Sequence, residues 1–269
     1  MGELRVNNRY LGALVLLPVL AMLFIGGWFL KITVLLLSVR ALFEFFHVME
    51  KKGHRPLRIL GYLTWAVYYA LILFVENPLQ HLSVVLALSL TLGFVYMIFH
   101  EQTTIVDVGI TISGIIYTAG LFSFLILLSQ KDNGQYLVYS VFIISWVCDT
   151  LAYYSGRRFG RRKLNERVSP KKTVEGAIGG LVGGAAGAFV LGLIVTDVTG
   201  TAAWHFLIMG FFGAMFGQVG DLAASSLKRY ANEKDYPKII PGHGGILDRF
   251  DSILFVSLLV YVYTTYVLG

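Results

Sequence analysis

Residues 176–196 read GAIGGLVGGAAGAFVLGLIVT, a run of small and apolar residues without a charged side chain. A helix needs about 20 such residues to cross the hydrocarbon core of a bilayer, so this run predicts a membrane-spanning helix. Its glycines form two ladders with a spacing of four: Gly176, Gly180 and Gly184, and Gly179, Gly183 and Gly187. Small residues at this spacing let membrane helices approach closely, so we expect a tightly packed helical bundle.

The composition of the whole chain also indicates a membrane protein. Of its 269 residues, 56% are hydrophobic and only 14% are charged, and the mean hydropathy is +0.69. A soluble domain is typically about 25% charged. The single cysteine, Cys148, cannot form an internal disulfide, and no Cys/His cluster suggests zinc. The predicted fold class is therefore an all-α integral membrane protein.

Apolar runs of spanning length predict about nine transmembrane helices. Beyond residue 50 they lie near residues 57–75, 78–99, 105–129, 134–156, 174–196, 202–226 and 250–268. The opening stretch, residues 11–50, is too long for one span at about 1.5 Å per residue. We expect it to fold back near Gly26, Gly27 and Lys31. Residues 11–30 predict a retained helix, because no small-residue cleavage site follows them.

The positions of Lys and Arg predict the orientation in the membrane. With nine spans and a cytoplasmic N-terminus, all but three of the 22 Lys and Arg fall in cytoplasmic segments. The exceptions are Lys31, Arg40 and Lys131. This asymmetry is what the positive-inside rule describes, and it places the C-terminus outside. The net charge of +6 therefore requires no nucleic-acid partner.

Two hydrophilic modules interrupt the apolar runs in the second half of the chain. Residues 149–176 read DTLAYYSGRRFGRRKLNERVSPKKTVEG, and residues 220–252 read GDLAASSLKRYANEKDYPKIIPGHGGILDRFDS. Each joins two predicted spans, so we expect cytoplasmic loops at 157–173 and 227–249. We predict an N-terminal transmembrane region, 1–130, with about five spans, and a C-terminal catalytic region, 131–269, with about four.

Carboxylates at the predicted water–lipid boundary point to a metal site. Asp221 lies near the cytoplasmic end of a span, where an ionised group is costly and normally faces a cavity, a partner or an ion. Asp248 lies where the last span begins. Mg²⁺ takes oxygen ligands, typically one or two carboxylates plus substrate phosphates, so we predict these two residues as its ligands. The alternatives are an ion pair of Asp221 with Lys228 or another cation, and a helix-dipole role for Asp251.

Basic and glycine residues around these carboxylates predict a phosphate site. In GHGG, residues 242–245, unobstructed backbone N–H groups can bind anions; His243 is either an ordinary loop residue or a donor to phosphate. We assign the interleaved cations to phosphate binding: Lys171, Lys172, Lys228, Arg229, Lys234 and Arg249. The alternative is that basic loops only fix topology and attract anionic lipid. That second role we assign to Arg157, Arg158, Arg161 and Arg162.

Other patterns narrow the function. The sequence contains no GxxxxGK[ST], HExxH or GxSxG motif, which argues against a Walker-type nucleotide site, a zincin and a serine hydrolase. In the second span, Arg40 and Glu44 are four residues apart, with His47 on the same side. An internal ion pair is the preferred interpretation, and a contact of Arg40 with lipid phosphate is the alternative.

Together the modules resemble the phosphatidate cytidylyltransferase family, also called CDP-diacylglycerol synthase. The family's closing signature is matched by Ser225, Lys228, Arg229, Lys234, Asp235 and the run PGHGGILDRFD, residues 241–251. Pro237 departs from it, because a small residue is usual there. The stretch SPKKTVEG, residues 169–176, is similar to the family's other motif, which CTP-dependent dolichol and phytol kinases carry in related form. The resemblance covers residues 140–255.

The resemblance implies a nucleotidyltransferase of phospholipid biosynthesis in the cell (inner) membrane, with its active site facing the cytoplasm. It would convert CTP and membrane phosphatidate into CDP-diacylglycerol and pyrophosphate with Mg²⁺; a second cation and a homodimer stay open. The implied catalytic residues are Asp221, Asp248, Lys228 and Arg229. Weaker metal candidates are Asp149, Glu175 and Asp251. The implied substrate-binding residues are Lys171, Lys172, Thr173, Ser225, Lys234, His243, Gly244, Gly245 and Arg249.

Two other functions stay open. A CTP-dependent lipid kinase of the polyprenol or phytol type would release CDP instead of pyrophosphate. An ion-coupled transporter would use the intramembrane Asp and Arg to line a pathway. A transporter more often shows inverted internal repeats, and the sequence holds no second copy of GDLAASSLKR.

Overall fold

The computed structural model describes residues 21–237 and 244–269, and these residues are mainly helical. The helices are α1 (Gly27–Lys51), α2 (Arg58–Phe74), α3 (Leu79–Phe99), α4 (Ile105–Ile115), α5 (Leu121–Ser129), α6 (Gly134–Phe159), α7 (Val174–Thr199), α8 (Ala203–Tyr230) and α9 (Leu247–Tyr266). A π-helical segment, Ile116–Gly120, joins α4 to α5. The all-α prediction is confirmed.

Six helical segments of the described chain are long and apolar enough to cross a membrane. They are Gly27–Lys51, Leu79–Phe99, Ile105–Ser129, Gly134–Phe159, Val174–Thr199 and Ala203–Tyr230. The helix Arg58–Phe74 is apolar but shorter, and α9 is a helix of 20 residues that begins with charged side chains. Every run predicted from residue 57 onward coincides with a helix. The count of nine spans and the orientation of the termini stay predictions.

Helical structure is interrupted at Gly26, one of the residues near which the chain is predicted to fold back; the fold-back itself stays a prediction. Gly26 and Gly27 have φ of 62° and 51°, which glycine adopts without a steric penalty. Helix α1 then begins at Gly27 and runs past Lys31 without interruption, so the lysine does not take part in the break. Half of the predicted first span, residues 11–30, lies outside the described residues.

The chain forms two compact units. The first holds the described residues through Ile126 and those of Tyr230–Arg249, and the second holds Leu127–Arg229 and Phe250–Gly269. In the first unit α1 packs against α2, α4 and the π-helical segment. Glycines make this packing possible: a Cβ at Gly61 would lie 2.6 Å from Cζ of Phe46, and one at Gly114 would lie 2.7 Å from Cδ1 of Phe45.

In the second unit, both glycine ladders of α7 are packing surfaces, as predicted. A Cβ at Gly183 would lie 2.6 Å from Cδ1 of Leu151 on α6. On the other ladder, a Cβ at Gly184 would lie 2.6 Å from Cβ of Ala214 on α8. Interiors pack without spare volume, so larger residues at these positions would push the helices apart. The ladders bring α6, α7 and α8 together, and those three helices carry the candidate site.

The loop predicted at residues 157–173 contains a β-hairpin that the sequence did not indicate. Its strands β1 (Lys163–Asn165) and β2 (Ser169–Thr173) pair antiparallel, with Lys163 opposite Thr173. Strand β2 leads directly into α7. Thr173 caps that helix, because its hydroxyl oxygen accepts the N–H of Gly176 at 3.1 Å. Lys171 and Lys172 are therefore held on a strand and not on a free loop.

Candidate active site

Asp221 lies half-buried on α8, towards the end of the helix that is predicted to face the cytoplasm. Its Oδ2 contacts Nζ of Lys172 on β2. Its Oδ1 accepts the hydroxyl of Ser225 at 3.4 Å, since residues four apart share one face of a helix. The cation beside Asp221 is therefore supplied by the first hydrophilic module, and one ion pair joins the two modules.

Two further carboxylates of the second unit interact electrostatically with Asp221. Asp149 lies on α6 and Asp251 lies in the first turns of α9, and their negative charges act on each other and on Asp221. Ser252 links the two. Its backbone N–H donates to Oδ1 of Asp251 at 2.8 Å, and its hydroxyl is hydrogen-bonded to Asp149.

Two lysines offset this negative charge. The charge of Lys172 acts on Asp149 as well as on Asp221. The charge of Lys228 acts on Asp251. Carboxylates that share a site repel one another, and nearby cations favour their ionised form. A bound cation would therefore further offset the repulsion among these carboxylates.

A cavity of about 350 Å³ opens beside this cluster. Its wall includes Asp149 and Asp221 together with three basic side chains, Arg157, Lys171 and Lys172. Ligand pockets commonly measure about 300–1,000 Å³. The N-terminus of α7 also borders the cavity, and the positive end of a helix dipole favours phosphate. The cavity can therefore hold a phosphorylated ligand.

Three wall residues were missed by the sequence interpretation. The sequence suggests for Arg157 only a role in fixing the membrane topology, and it suggests no role for Tyr153 or Gln218. In the structure all three line the cavity. Gln218 is fixed there because its Nε2 donates to the carbonyl of Ala177 at 2.9 Å. A signal for two of them exists in the sequence. Asp149, Tyr153 and Arg157 follow one another at intervals of four, the spacing of one helix face.

Glu175, a weaker metal candidate, is engaged by backbone. Its Oε2 accepts the N–H of Arg161 at 3.0 Å and that of Arg162 at 3.2 Å. This carboxylate therefore orients the chain that leads from α6 into the hairpin. A metal role for Glu175 stays a prediction.

Asp248, a predicted metal ligand, lies in the first unit. Its Oδ2 accepts the backbone N–H groups of Tyr236 at 3.0 Å and Gly245 at 3.1 Å. Asp221 belongs to the second unit, and the predicted ligand pair of Asp221 and Asp248 stays a prediction.

Of the other substrate-binding predictions of the second module, Ser225 lies in the second unit beside Asp221, and Lys234, Gly244, Gly245 and Arg249 lie in the first. Lys234 and Arg249 are exposed. Gly244 has φ of 68°, a conformation that glycine adopts readily. His243 lies outside the described residues.

The donor set suits a hard divalent cation. Within residues 21–237 and 244–269, no three Asp, Glu, His or Cys side chains converge as a preformed metal centre. Mg²⁺ does not need one, since it is usually held by one or two carboxylates together with substrate phosphates and water. Asp149, Asp221 and Asp251 offer carboxylate oxygens, and the ammonium of Lys172 occupies a cation position beside Asp221.

The sequence matches known proteins along nearly its whole length. The profile of the cytidylyltransferase family matches residues 7–267. A phosphatidate cytidylyltransferase of Staphylococcus haemolyticus is 30% identical over 266 residues, which cover 97% of this chain and 98% of that protein. The enzyme of that name from Staphylococcus saprophyticus is 37% identical over 186 residues, covering 69% and 70%. The one from Thermotoga maritima is 31% identical over 217 residues, covering 80% and 79%. The similarity thus extends well beyond residues 140–255.

Proposed function

The chain belongs to the cytidylyltransferase family and is a nucleotidyltransferase, and from that premise we propose that it converts CTP and phosphatidate into CDP-diacylglycerol and pyrophosphate. The observation that carries the proposal is the ion pair between Lys172 and Asp221. It brings the two hydrophilic modules to one cavity, where carboxylates and cations stand side by side. The phosphatidate cytidylyltransferases named above support the choice of substrates.

The position of the cavity suits one water-soluble and one lipid substrate. Asp149 and Asp221 lie on α6 and α8, both of which are long and apolar enough to cross a membrane. We place both residues at the cytoplasmic ends of these helices, following the positive-inside rule. CTP would arrive from the cytoplasm and phosphatidate from the bilayer. The proposed location is the cell (inner) membrane with the active site facing the cytoplasm.

The proposed reaction is an in-line displacement. A phosphate oxygen of phosphatidate attacks the α-phosphorus of CTP, the bond from that phosphorus to the bridging oxygen breaks, and pyrophosphate leaves with the electron pair. A phosphate monoester has a second pKa of about 6 and is largely ionised at pH 7, so the nucleophile needs no strong base. The protein contributes positioning and neutralisation of phosphate charge.

The basic residues of the candidate site would bind or neutralise phosphate in this reaction. Lys171, Lys172 and Arg157 line the wall and would hold the phosphates of CTP. Lys228 and Arg229 would neutralise charge on the leaving group. Bound Mg²⁺ would supply further charge neutralisation and would orient the triphosphate.

The proposed ligands of Mg²⁺ centre on Asp221. Asp251 and Asp149 are its partners in the second unit, and their electrostatic interaction with Asp221 supports this assignment. Asp248 is the alternative partner predicted from the sequence. A second cation and a homodimer stay predictions without structural support.

Two positions of a radioactive label distinguish the proposed reaction from a kinase reaction. Purified protein is incubated with Mg²⁺, with CTP labelled at either the α- or the γ-phosphate, and with both phosphatidate and a polyprenol, which supplies the hydroxyl acceptor that a lipid kinase needs. Cytidylyl transfer puts the α-label into lipid and the γ-label into pyrophosphate. A lipid kinase would put the γ-label into lipid and the α-label into CDP. Absence of turnover with either label would favour a transporter.

A further inference from the structure

Glu44 is a buried carboxylate whose partners the sequence did not predict in full. It lies on α1, with none of its surface exposed. Its Oε1 accepts Nε–H of Arg40 at 3.1 Å, which confirms the predicted ion pair. The same oxygen accepts the backbone N–H of Ile246 at 2.9 Å, and Oε2 accepts that of Leu247 at 2.9 Å. A buried carboxylate is costly unless it is paired and hydrogen-bonded, and these donors offset that cost.

These contacts cap a helix from a distant part of the chain. Helix α9 begins at Leu247, and the first N–H groups of a helix have no partner inside it. The usual acceptor is a short polar side chain that immediately precedes the helix. Here the acceptor lies 202 and 203 positions earlier than the two donors. A carboxylate at this end also interacts favourably with the helix dipole.

Arg40, one turn before Glu44 on α1, contacts the residue that precedes 238–243. Nη2 of Arg40 donates to the carbonyl oxygen of Pro237 at 3.2 Å. Residues on both sides of 238–243 are therefore hydrogen-bonded to α1. Pro237 is bonded to Arg40, and the start of α9 is bonded to Glu44. All of these residues belong to the first unit.

Gly245 is the residue that lets this contact form. A Cβ at that position would lie 2.5 Å from Oε2 of Glu44 and 2.6 Å from Cβ of Tyr236. Its own N–H already donates to Oδ2 of Asp248 at 3.1 Å. The absence of a side chain at Gly245 is thus explained by the close approach of Glu44, independently of any phosphate.

We propose that Glu44, supported by Arg40, is a positioning residue that fixes the start of α9. The next residue of that helix is Asp248, and Asp251 follows one turn later, so the orientation of both carboxylates depends on where the helix begins. The catalytic consequence rests on the proposed function. The effect on the helix start does not.

The main test replaces Glu44 with Gln, which keeps the size of the side chain but turns one acceptor oxygen into a donor NH₂. One of the two backbone N–H groups then faces another donor. We expect hydrogen exchange at the amides of Ile246 and Leu247 to become about ten- to a hundredfold faster, the range for a lost hydrogen bond to a charged group. The kcat for cytidylyl transfer should fall by at least about tenfold, because small misplacements of catalytic groups are that costly. The KM for CTP should stay within about threefold, since the cavity residues are untouched.

Ser38 supplies a matched control. It lies on α1, is also fully buried, and its hydroxyl oxygen accepts Nε1–H of Trp65 on α2 at 2.7 Å. Ser38→Ala should lower the melting temperature in detergent, yet leave kcat and the exchange of the Ile246 and Leu247 amides at wild-type values. If Ser38→Ala and Glu44→Gln had the same effects, Glu44 would contribute only to stability.

Arg40→Gln keeps the proposal testable if Glu44→Gln does not fold. Arg40 is partly exposed, so its replacement threatens folding less, and it should speed exchange at Ile246 and Leu247 and lower kcat in the same direction. Wild-type exchange and wild-type kcat in the folded variant would overturn the proposal. If the wild-type protein itself transferred no cytidylyl group, the proposed function would fail, while the exchange comparison would still decide the role of Glu44.

Discussion

Asp251 is a carboxylate at the start of a helix that also interacts with carboxylates of two other helices. From the sequence, its carboxylate was as well explained by the helix dipole as by function. In the second unit its charge acts on Asp221 and Asp149. Spacing within one helix could not reveal this interaction, because it depends on how α6, α8 and α9 pack.

The first prediction concerns the contribution of Asp251 to Mg²⁺ binding, measured as the Mg²⁺ requirement of the enzyme. Asp251→Asn removes a charged ligand while keeping the shape, so the Mg²⁺ concentration for half-maximal activity should rise by at least about tenfold, the cost of about 1.4 kcal/mol. The measurement is a Mg²⁺ titration of CDP-diacylglycerol formation. Asp248→Asn is the comparison. If only the Asp248 variant changed the Mg²⁺ requirement, the ligand pair predicted from the sequence would be correct and Asp251 would not be a ligand.

The second prediction distinguishes basic residues that bind phosphate in the cavity from those that only orient the protein in the membrane. Arg157 lines the cavity, whereas Arg158 lies over the ring of Phe159 with 5.8 Å from Cζ to the ring centroid. Arg157→Gln should lower kcat/KM for CTP by about tenfold or more, since a charge-assisted hydrogen bond to phosphate is worth about 1.5–3 kcal/mol. Arg158→Gln should change it less than about twofold. Equal effects at both positions would contradict a specific role for Arg157.

At the scale of helices and strands, the sequence predicts the helices that are long apolar runs. Helices α2 to α9 coincide with the predicted runs because a membrane fixes the number of apolar residues that a span requires. The hairpin was not predictable in the same way. Its strands have only three and five residues, and their charged sequence lacks the alternation that marks a half-buried strand.

The third prediction tests the close contact between α7 and α8. A Cβ at Gly210 would lie 2.6 Å from the carbonyl oxygen of Gly184 and 2.8 Å from Cα of Ala185, so the backbones would have to separate. Gly210→Ala should therefore destabilise the protein by about 1–3 kcal/mol. In α4, an added Cβ at Gly109 meets nothing within 4 Å, and Gly109→Ala should be neutral or stabilising by up to about 1 kcal/mol.

Thermal unfolding in detergent measures both glycine variants. A melting temperature lowered by several degrees for Gly210→Ala alone is the expected result. An unchanged melting temperature for that variant would mean that α7 and α8 pack less closely than described.

At the scale of the whole molecule, composition was enough to predict a membrane protein, but not how the chain divides into units. Residues Tyr230–Arg249 follow α8 in sequence and lie in the first unit. The contacts responsible include those of Glu44 with Ile246 and Leu247. Interactions across some 200 residues leave no periodic signal in a single sequence, so this part of the fold could not have been predicted.

The fourth prediction tests the orientation in the membrane. Exposed positions suit cysteine labelling: Asp132 between α5 and α6, Arg162 before β1, and Lys234 after α8. The native Cys148 is buried, so it gives little background. In inside-out and right-side-out vesicles, Arg162→Cys and Lys234→Cys should react only from the cytoplasmic side, and Asp132→Cys only from the opposite side. Labelling of residues 162 and 234 from opposite sides would contradict the nine-span topology.

The most direct test of the proposed reaction at this site is its reversal. Purified wild-type protein and Asp221→Asn are each incubated with CDP-diacylglycerol, Mg²⁺ and radioactive pyrophosphate. Attack of pyrophosphate on the cytidylyl phosphorus displaces phosphatidate and leaves the label in the β- and γ-phosphates of CTP. We expect labelled CTP from the wild-type protein and less than a few per cent of that amount, roughly a loss of 2 kcal/mol or more, from the folded Asp221 variant. No labelled CTP from the wild-type protein, or equal amounts from both proteins, would contradict cytidylyl transfer at this site.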